Sequence, residues 1–199
     1  MKKALNFLII TVLCLSLVSC GGSSENADPP KSETSNNSIE VDENLLTVDI
    51  TLPASMFEDE DMTDFDPDEY TKENGFTNAV VNDDGSVTIT MTKAKHKEVM
   101  AEMRSEIEKS FQEIIEDPEL SYVHDIIPDN KFNTVTIEVD RAEYEKAWFD
   151  ITPFSVGIQA MLYQTFAGDE IRCEVITEDK DTGEILSSVV YPDAFQNEE

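Results

Sequence analysis

The feature that most constrains this chain is a two-residue hydrophobic rhythm. Leu46, Val48, Ile50 and Leu52 alternate with Thr47, Asp49 and Thr51. Val87, Ile89 and Met91 alternate with Thr88, Thr90 and Thr92, and Val135, Ile137 and Val139 with Thr134, Thr136 and Glu138. Such alternation places one side of each strand on a core and the other in water, as antiparallel sheets do. Further strands are expected from Ile171, Cys173 and Val175, and from Ile185 to Tyr191. Turn residues join them in pairs. Asn82-Asp83-Asp84-Gly85 links Ala79–Val81 to Val87–Met91, Pro128-Asp129-Asn130-Lys131 links Tyr122–Ile127 to Phe132–Val139, and Lys180-Asp181-Thr182-Gly183 links the last two. Asp, Asn and Gly tolerate the left-handed conformations that tight hairpins need.

A second rhythm marks helices. From Lys93 to Asp117, Val99, Met100, Met103, Ile107, Phe111, Ile114 and Ile115 fall on one helical face, and Pro118 ends the run. Asp140 and Glu143 form a capping box before a helix carrying Tyr144, Ala147 and Trp148. Thr152-Pro153 restarts a helix, with a capping hydroxyl and a first-turn proline, that stops at Gly168. In a short helix over Asp66–Gly75, Asp66 caps, Glu69 completes a capping box, and Phe65 and Tyr70 form a hydrophobic staple. The expected fold is α+β: an antiparallel sheet built from ββα-ββα-ββ behind one leading strand, with helices packed on one face. Val87–Met100 echoes Val135–Trp148, either as a duplicated unit or as two similar local solutions.

The first residues read as an address. Lys2 and Lys3 precede an apolar stretch from Ala4 to Val18, too short for a spanning helix, which takes roughly 20 apolar residues. Leu17-Val18-Ser19-Cys20 resembles a bacterial lipobox. The resemblance implies cleavage between Ser19 and Cys20 and a diacylglyceryl group on the Cys20 sulfur, which carries two acyl chains such as palmitate. Two chains give lasting attachment where one is marginal. Residues 1–19 are then a signal peptide. Residues 20–44 are the lipidated cysteine and a flexible acidic tether, poor in large apolar residues. Residues 45–199 form a single domain.

Charge excludes some functions. The chain holds 14 basic and 43 acidic residues, a formal net charge of −29. Nucleic acid and anionic lipid headgroups would be repelled. The acidity lies mostly in the domain, where 37 acidic face 11 basic residues. Eight carboxylates crowd residues 58–69, and Asp59, Asp61, Asp64, Asp66 and Asp68 are the candidate calcium ligands. The glycine and final glutamate of an EF-hand loop are missing, so loose cation association and a solvated acidic loop stand as alternatives.

Other candidates are sparse. Lys93, Lys95 and Lys97 crowd a helix start, where the helix dipole disfavours cations. They suit contact with an anionic partner, or relieve the local acidic field. His96 and His124 share no metal-ligand spacing and are expected to face solvent. Cys173 falls on the inward side of its strand, as a buried small hydrophobe or else a nucleophile. Phe154–Phe166 is apolar on most sides, which suits a core helix or a docking face.

The chain resembles a family of uncharacterised lipoproteins from Gram-positive, clostridia-type bacteria. The resemblance rests on Leu17–Cys20, Gly85–Met91, Lys93–Lys97, Thr152-Pro153-Phe154, Tyr163–Gly168 and Ser188–Pro192. It implies an extracytoplasmic location and carries no activity. The expected function is a non-enzymatic binding or assembly module. It would be anchored to the outer face of the cell membrane by Cys20, without cofactor or nucleic acid, and would pair with a protein partner or a second copy. A calcium-responsive acidic domain and a wall-associated hydrolase are the alternatives.

Overall fold

The computed structural model describes residues 38–57, 65–147 and 150–195. Its strands are β1 (Glu40–Glu43), β2 (Thr47–Leu52), β3 (Asn78–Val81), β4 (Val87–Thr92), β5 (Val123–Pro128), β6 (Thr134–Val139), β7 (Cys173–Asp179) and β8 (Ile185–Tyr191). Its helices are α1 (Pro67–Asn74), α2 (Lys93–Glu116), α3 (Arg141–Tyr144) and α4 (Thr152–Ala167). The α+β class holds, and the three turns close their hairpins as expected.

The arrangement of strands departs from a single antiparallel sheet. They divide into two four-stranded sheets, ordered β1-β2-β4-β3 and β5-β6-β7-β8. The first is antiparallel throughout. In the second, β6 and β7 run parallel, with Thr134 opposite Glu174 and Val139 opposite Asp179. Alternation reports that a strand has one buried face, and says nothing of its neighbours. The β6–β7 connection contains α3 and α4, long enough for the crossover that a parallel pair requires.

Two helices tie the sheets together. The buried face of α2 carries Met100, Met103, Ile107 and Phe111. It meets β2 and β4 of the first sheet and β5 of the second. Helix α4 packs on α2, on β6, β7 and β8, and on β1 across the divide. Only one side of α4 is core, however: Val156 and Ala160 are fully buried, while Phe154 and Ile158 are exposed at 44% and 40%. Phe132, in the β5–β6 turn, is fully buried at a left-handed φ of 55°. A bulky side chain adopts that conformation at a cost of about 1–2 kcal/mol. Its ring is packed between Phe111 of α2 and Tyr163 of α4, and that burial offsets the cost.

Several local expectations need correction. Residues 40–43, read as the end of the tether, form β1 and pair with β2 over Glu40–Thr51 to Glu43–Val48. Composition hid this strand, because few of its residues are apolar; Ile39 and Val41 pack on the core. Leu46, read as inward-facing, is 77% exposed beside Leu45 at the β1–β2 turn. The helix after Asp140 is a single turn, and Trp148 lies outside the described residues. Asp140 caps it, accepting from the Ala142 and Glu143 amides, but the reciprocal half of the box is absent. The Asp140 amide goes instead to Tyr122 O, and the Glu143 carboxylate to Lys146. The echo therefore stops after the first turn of the second helix. Thr152 is not a cap: it lies inside α4, and Asp150 Oδ1 takes its amide at 2.9 Å. Helix α1 matches its expected bounds, with Asp66 capping, Phe65 and Tyr70 rings 5.5 Å apart, and Gly75 terminating at φ 68°.

Gly157 is where the backbone of α4 comes closest to β8. A Cβ there would lie 2.4 Å from Cδ2 of the Tyr191 ring. Gly157→Ala is therefore expected to lower folding stability by about 1–3 kcal/mol, the usual cost of overpacking. This should appear as a lower denaturation midpoint, and an unchanged midpoint would contradict the close approach.

Candidate functional site

The residues singled out from sequence do not converge. Cys20 lies outside the described residues, as do Asp59, Asp61 and Asp64. Asp66 Oδ1 accepts the amides of Asp68 and Glu69 at 3.0 and 3.1 Å, and the Asp68 side chain is exposed in the first turn of α1. Among the described residues, no three His, Cys, Asp or Glu side chains gather as a metal site would need. Lys93 Nζ meets Glu43 of β1 at 3.0 Å, and Lys95 Nζ meets Glu98 at 3.2 Å. Both pairs place a lysine beside a carboxylate, as relief of the acidic field would.

The histidines separate. His124 is exposed on β5. His96, expected to face solvent, reaches from α2 to the end of α4, where its Nε2 lies 2.9 Å from Phe166 O. A carbonyl can only accept, so Nε2 carries the proton and donates. Cys173 is fully buried, and burial pushes its thiol up to about 12. A thiol held neutral in this way is a poor nucleophile, which fits the packing role over the catalytic one.

One buried cluster of ionisable groups was not legible as a motif. Tyr122, at the start of β5, donates its hydroxyl to Asp150 Oδ1 at 2.8 Å, and the same oxygen accepts the Thr152 amide. Asp150 thereby ties the β5 end of the second sheet to the first turn of α4. Its other oxygen, Oδ2, is buried with no hydrogen-bond partner among the described residues. Tyr144 packs against Tyr122 with the rings tilted 59° and their centroids 5.7 Å apart. Burial, then the bond to the Asp150 carboxylate, pushes the Tyr122 phenol far above its ordinary value. Tyr144 and Tyr191 are raised as well, both mainly by burial, Tyr144 further by the charge of Asp150 and Tyr191 by Cys173 and then Asp150. The only sequence signal for this cluster is a tyrosine and an aspartate 28 residues apart, and no periodicity connects them.

A shallow, open groove of about 630 Å³ runs between α2 and β5. Glu108, Lys109 and Gln112 line its helix side, and Asp125, Ile127 and Pro128 its strand side. At one end Arg104 is held in place, its Nε on Glu108 Oε1 at 2.8 Å, its Nη1 on Asn130 O at 3.0 Å, and its guanidinium carbon 4.9 Å from the Phe132 ring centre. Cation–π contact, the Glu108 ion pair and backbone bonds together fix the position of this arginine. The groove has Phe111 and Ile126 among its lining but is wide open and mixed in charge at its rim, so it suits a surface contact better than an enclosed small molecule.

Chemically, these groups are turned to structure. Asp84 is held below the usual carboxylate range by the Ser86 hydroxyl, and Asp179 by the Asp181 amide; both staple hairpin turns. The chain matches no known protein family, no curated protein sequence and no solved structure.

The raised phenols set an alkaline limit. Burial pushes Tyr70 up to about 12, and Tyr122 rises further. In the unfolded chain both titrate near the ordinary value of 10.0. Their contribution is therefore complete below pH 10 and falls as pH rises beyond it. Cys173 adds a similar loss beginning near its ordinary 9.0. Denaturation midpoints should fall steeply above pH 10. Tyr122→Phe should lower the neutral-pH stability by about 1.5–3 kcal/mol, for the lost bond to a charged partner, and flatten the alkaline fall. A fall of equal steepness in the variant would contradict this account.

Proposed function

We propose that the chain is a lipid-anchored, extracytoplasmic binding or assembly module without catalytic activity. The observation that carries the reading is the order of elements at the N-terminus: two lysines, an apolar stretch and Leu17-Val18-Ser19-Cys20. The Cys20 sulfur is the acceptor for a diacylglyceryl group, and cleavage before it frees the amine for a further acyl chain. No described helix is long and apolar enough to cross a membrane.

The non-enzymatic part is supported by where the reactive groups are spent. The one described thiol is buried and held neutral, His96 is bonded to a backbone carbonyl, and Asp66, Asp84, Asp140 and Asp179 serve caps and turns. What remains outward is a strongly acidic surface. Such a surface keeps a domain off anionic lipid and anionic wall polymer.

The test is acylation in living cells. With the whole chain expressed in a Gram-positive host fed labelled palmitate, the label should enter a band of the mature chain. Cys20→Ala should abolish incorporation and release the chain from the membrane fraction. Equal labelling of the Cys20→Ala chain would remove the anchor from the proposal.

A further inference from the structure

We propose that the tip of the β1–β2 hairpin is a membrane contact: Leu45 and Leu46 enter the bilayer surface, and lysines at the start of α2 meet its phosphates. The inference rests on the lipid anchor proposed above, and adds the face that the anchored domain turns to the membrane.

Leu45 and Leu46 are the most exposed large apolar residues among those described, at 90% and 77%. The backbone fixes them there. The Asn44 amide donates to Thr47 O at 2.9 Å and the Lys93 amide to Leu46 O at 3.2 Å, and β2 then pairs with β4 from Thr47 opposite Thr92. A turn pinned in this way ordinarily carries polar residues. This one holds two leucines in water, and neither joins the core.

Basic residues gather at the same end. Lys93 adjoins Leu46, and Lys97 is exposed one turn farther along α2. A Cβ on Gly75 would lie 4.0 Å from Lys95 Cε, which brings Lys72, in the last turn of α1, to the same end. Four of the domain's 11 basic residues therefore stand here. Glu43 and Glu98 are each held by one of them, at 3.0 and 3.2 Å.

Chemistry, reach and charge select a lipid surface. Exposed leucines ringed by lysines are what an interfacial contact uses: the apolar chains enter the acyl boundary and the long cationic ones reach phosphate. The hairpin is the first described element after Cys20. Glu40 lies 20 residues beyond Cys20, a reach of at most about 70 Å. A second contact joined to an anchor acts at high effective concentration, so two leucines count where alone they would not. Anionic headgroups repel the acidic remainder of the domain and attract this end, which sets the orientation. A second copy seated tip to tip would instead set lysine against lysine.

The test places the whole acylated chain in vesicles of phosphatidylcholine and phosphatidylglycerol, with nitrobenzoxadiazole on Asn44→Cys. The native thiols do not compete: Cys14 leaves with the signal peptide, Cys20 is acylated and Cys173 is buried. The label should shift to the blue, and nitroxides on the lipid acyl chains should quench most of its emission. The same label on Asp181→Cys, in the β7–β8 turn, should show neither effect. Strand β7 starts beside the α4 end that His96 touches, and its seven residues carry that turn about 20 Å away. Adding Leu45→Ser and Leu46→Ser to the Asn44→Cys chain should leave the denaturation midpoint unchanged, because both leucines are exposed, and should remove most of the quenching. A chain that carries no acyl group and does not float with the vesicles overturns the anchor and this inference together. A chain that floats with its Asn44→Cys label unquenched overturns this inference alone. So does equal quenching at Asp181→Cys, quenching that survives the loss of both leucines, or a blue shift without quenching, which would mean that a second copy covers the tip.

Discussion

One buried glutamine sets the geometry on which the second sheet depends. Gln164, in the last turns of α4, is fully buried. Its Nε2 donates toward Phe132 O at 3.1 Å, Asn133 Oδ1 at 3.2 Å and Arg172 O at 2.9 Å, and its Oε1 accepts the Arg172 amide at 2.9 Å. Phe132 and Asn133 immediately precede β6, and Arg172 immediately precedes β7. One side chain therefore holds the starts of the two parallel strands together, and the first ladder bond, Glu174 N to Asn133 O at 2.8 Å, follows directly. A buried amide is costly unless its hydrogen bonds are made. Here they are made only when α4, the β5–β6 turn and β7 are all in place.

The rest of the core follows from where that clamp leaves α4. Its C-terminal end receives His96 from α2 at Phe166 O, and β1 comes close enough that a Cβ on Gly168 would lie 3.3 Å from Val41 Cγ1. Farther back, Gly157 admits the ring of Tyr191. Through these contacts the first sheet is tied to the second by helices, although no strand passes between them. The acidic charge is accommodated by the same economy. Carboxylates sit at helix starts and hairpin turns, where they accept hydrogen bonds from backbone amides, and the few lysines and arginines bridge elements, as Arg141 does between Glu145 and Glu184.

Much of this was legible in the sequence, for local reasons. The turns, the α1 cap and staple, the apolar face of α2 and the bounds of β8 follow from short-range periodicity and from residues with strong backbone preferences. What could not be read depends on distant partners. The parallel β6–β7 pair is specified by Gln164, an ordinary residue until its neighbours are known. Strand β1 is specified by its pairing with β2 and not by its composition. Phe132 looks like the start of a strand and is instead a turn residue buried between helices. The candidate site divides the same way. Lys93 was visible as an oddity, and its salt bridge to Glu43 came with the fold. The Tyr122–Asp150 bond joins residues that no local pattern connects.

The central claim is that Gln164 holds the parallel pair and, through it, the helix that joins the two sheets. Equilibrium unfolding of Gln164→Leu tests it most directly, because leucine restores bulk and removes every bond. The Arg172 amide and the Phe132 and Arg172 carbonyls would lose this partner, at about 1–3 kcal/mol for each group left unsatisfied away from water. The account predicts a loss of more than about 2 kcal/mol on that scale, seen as a single transition in which both sheets unfold together. A loss below about 1 kcal/mol, the size of one ordinary hydrogen bond, would contradict it.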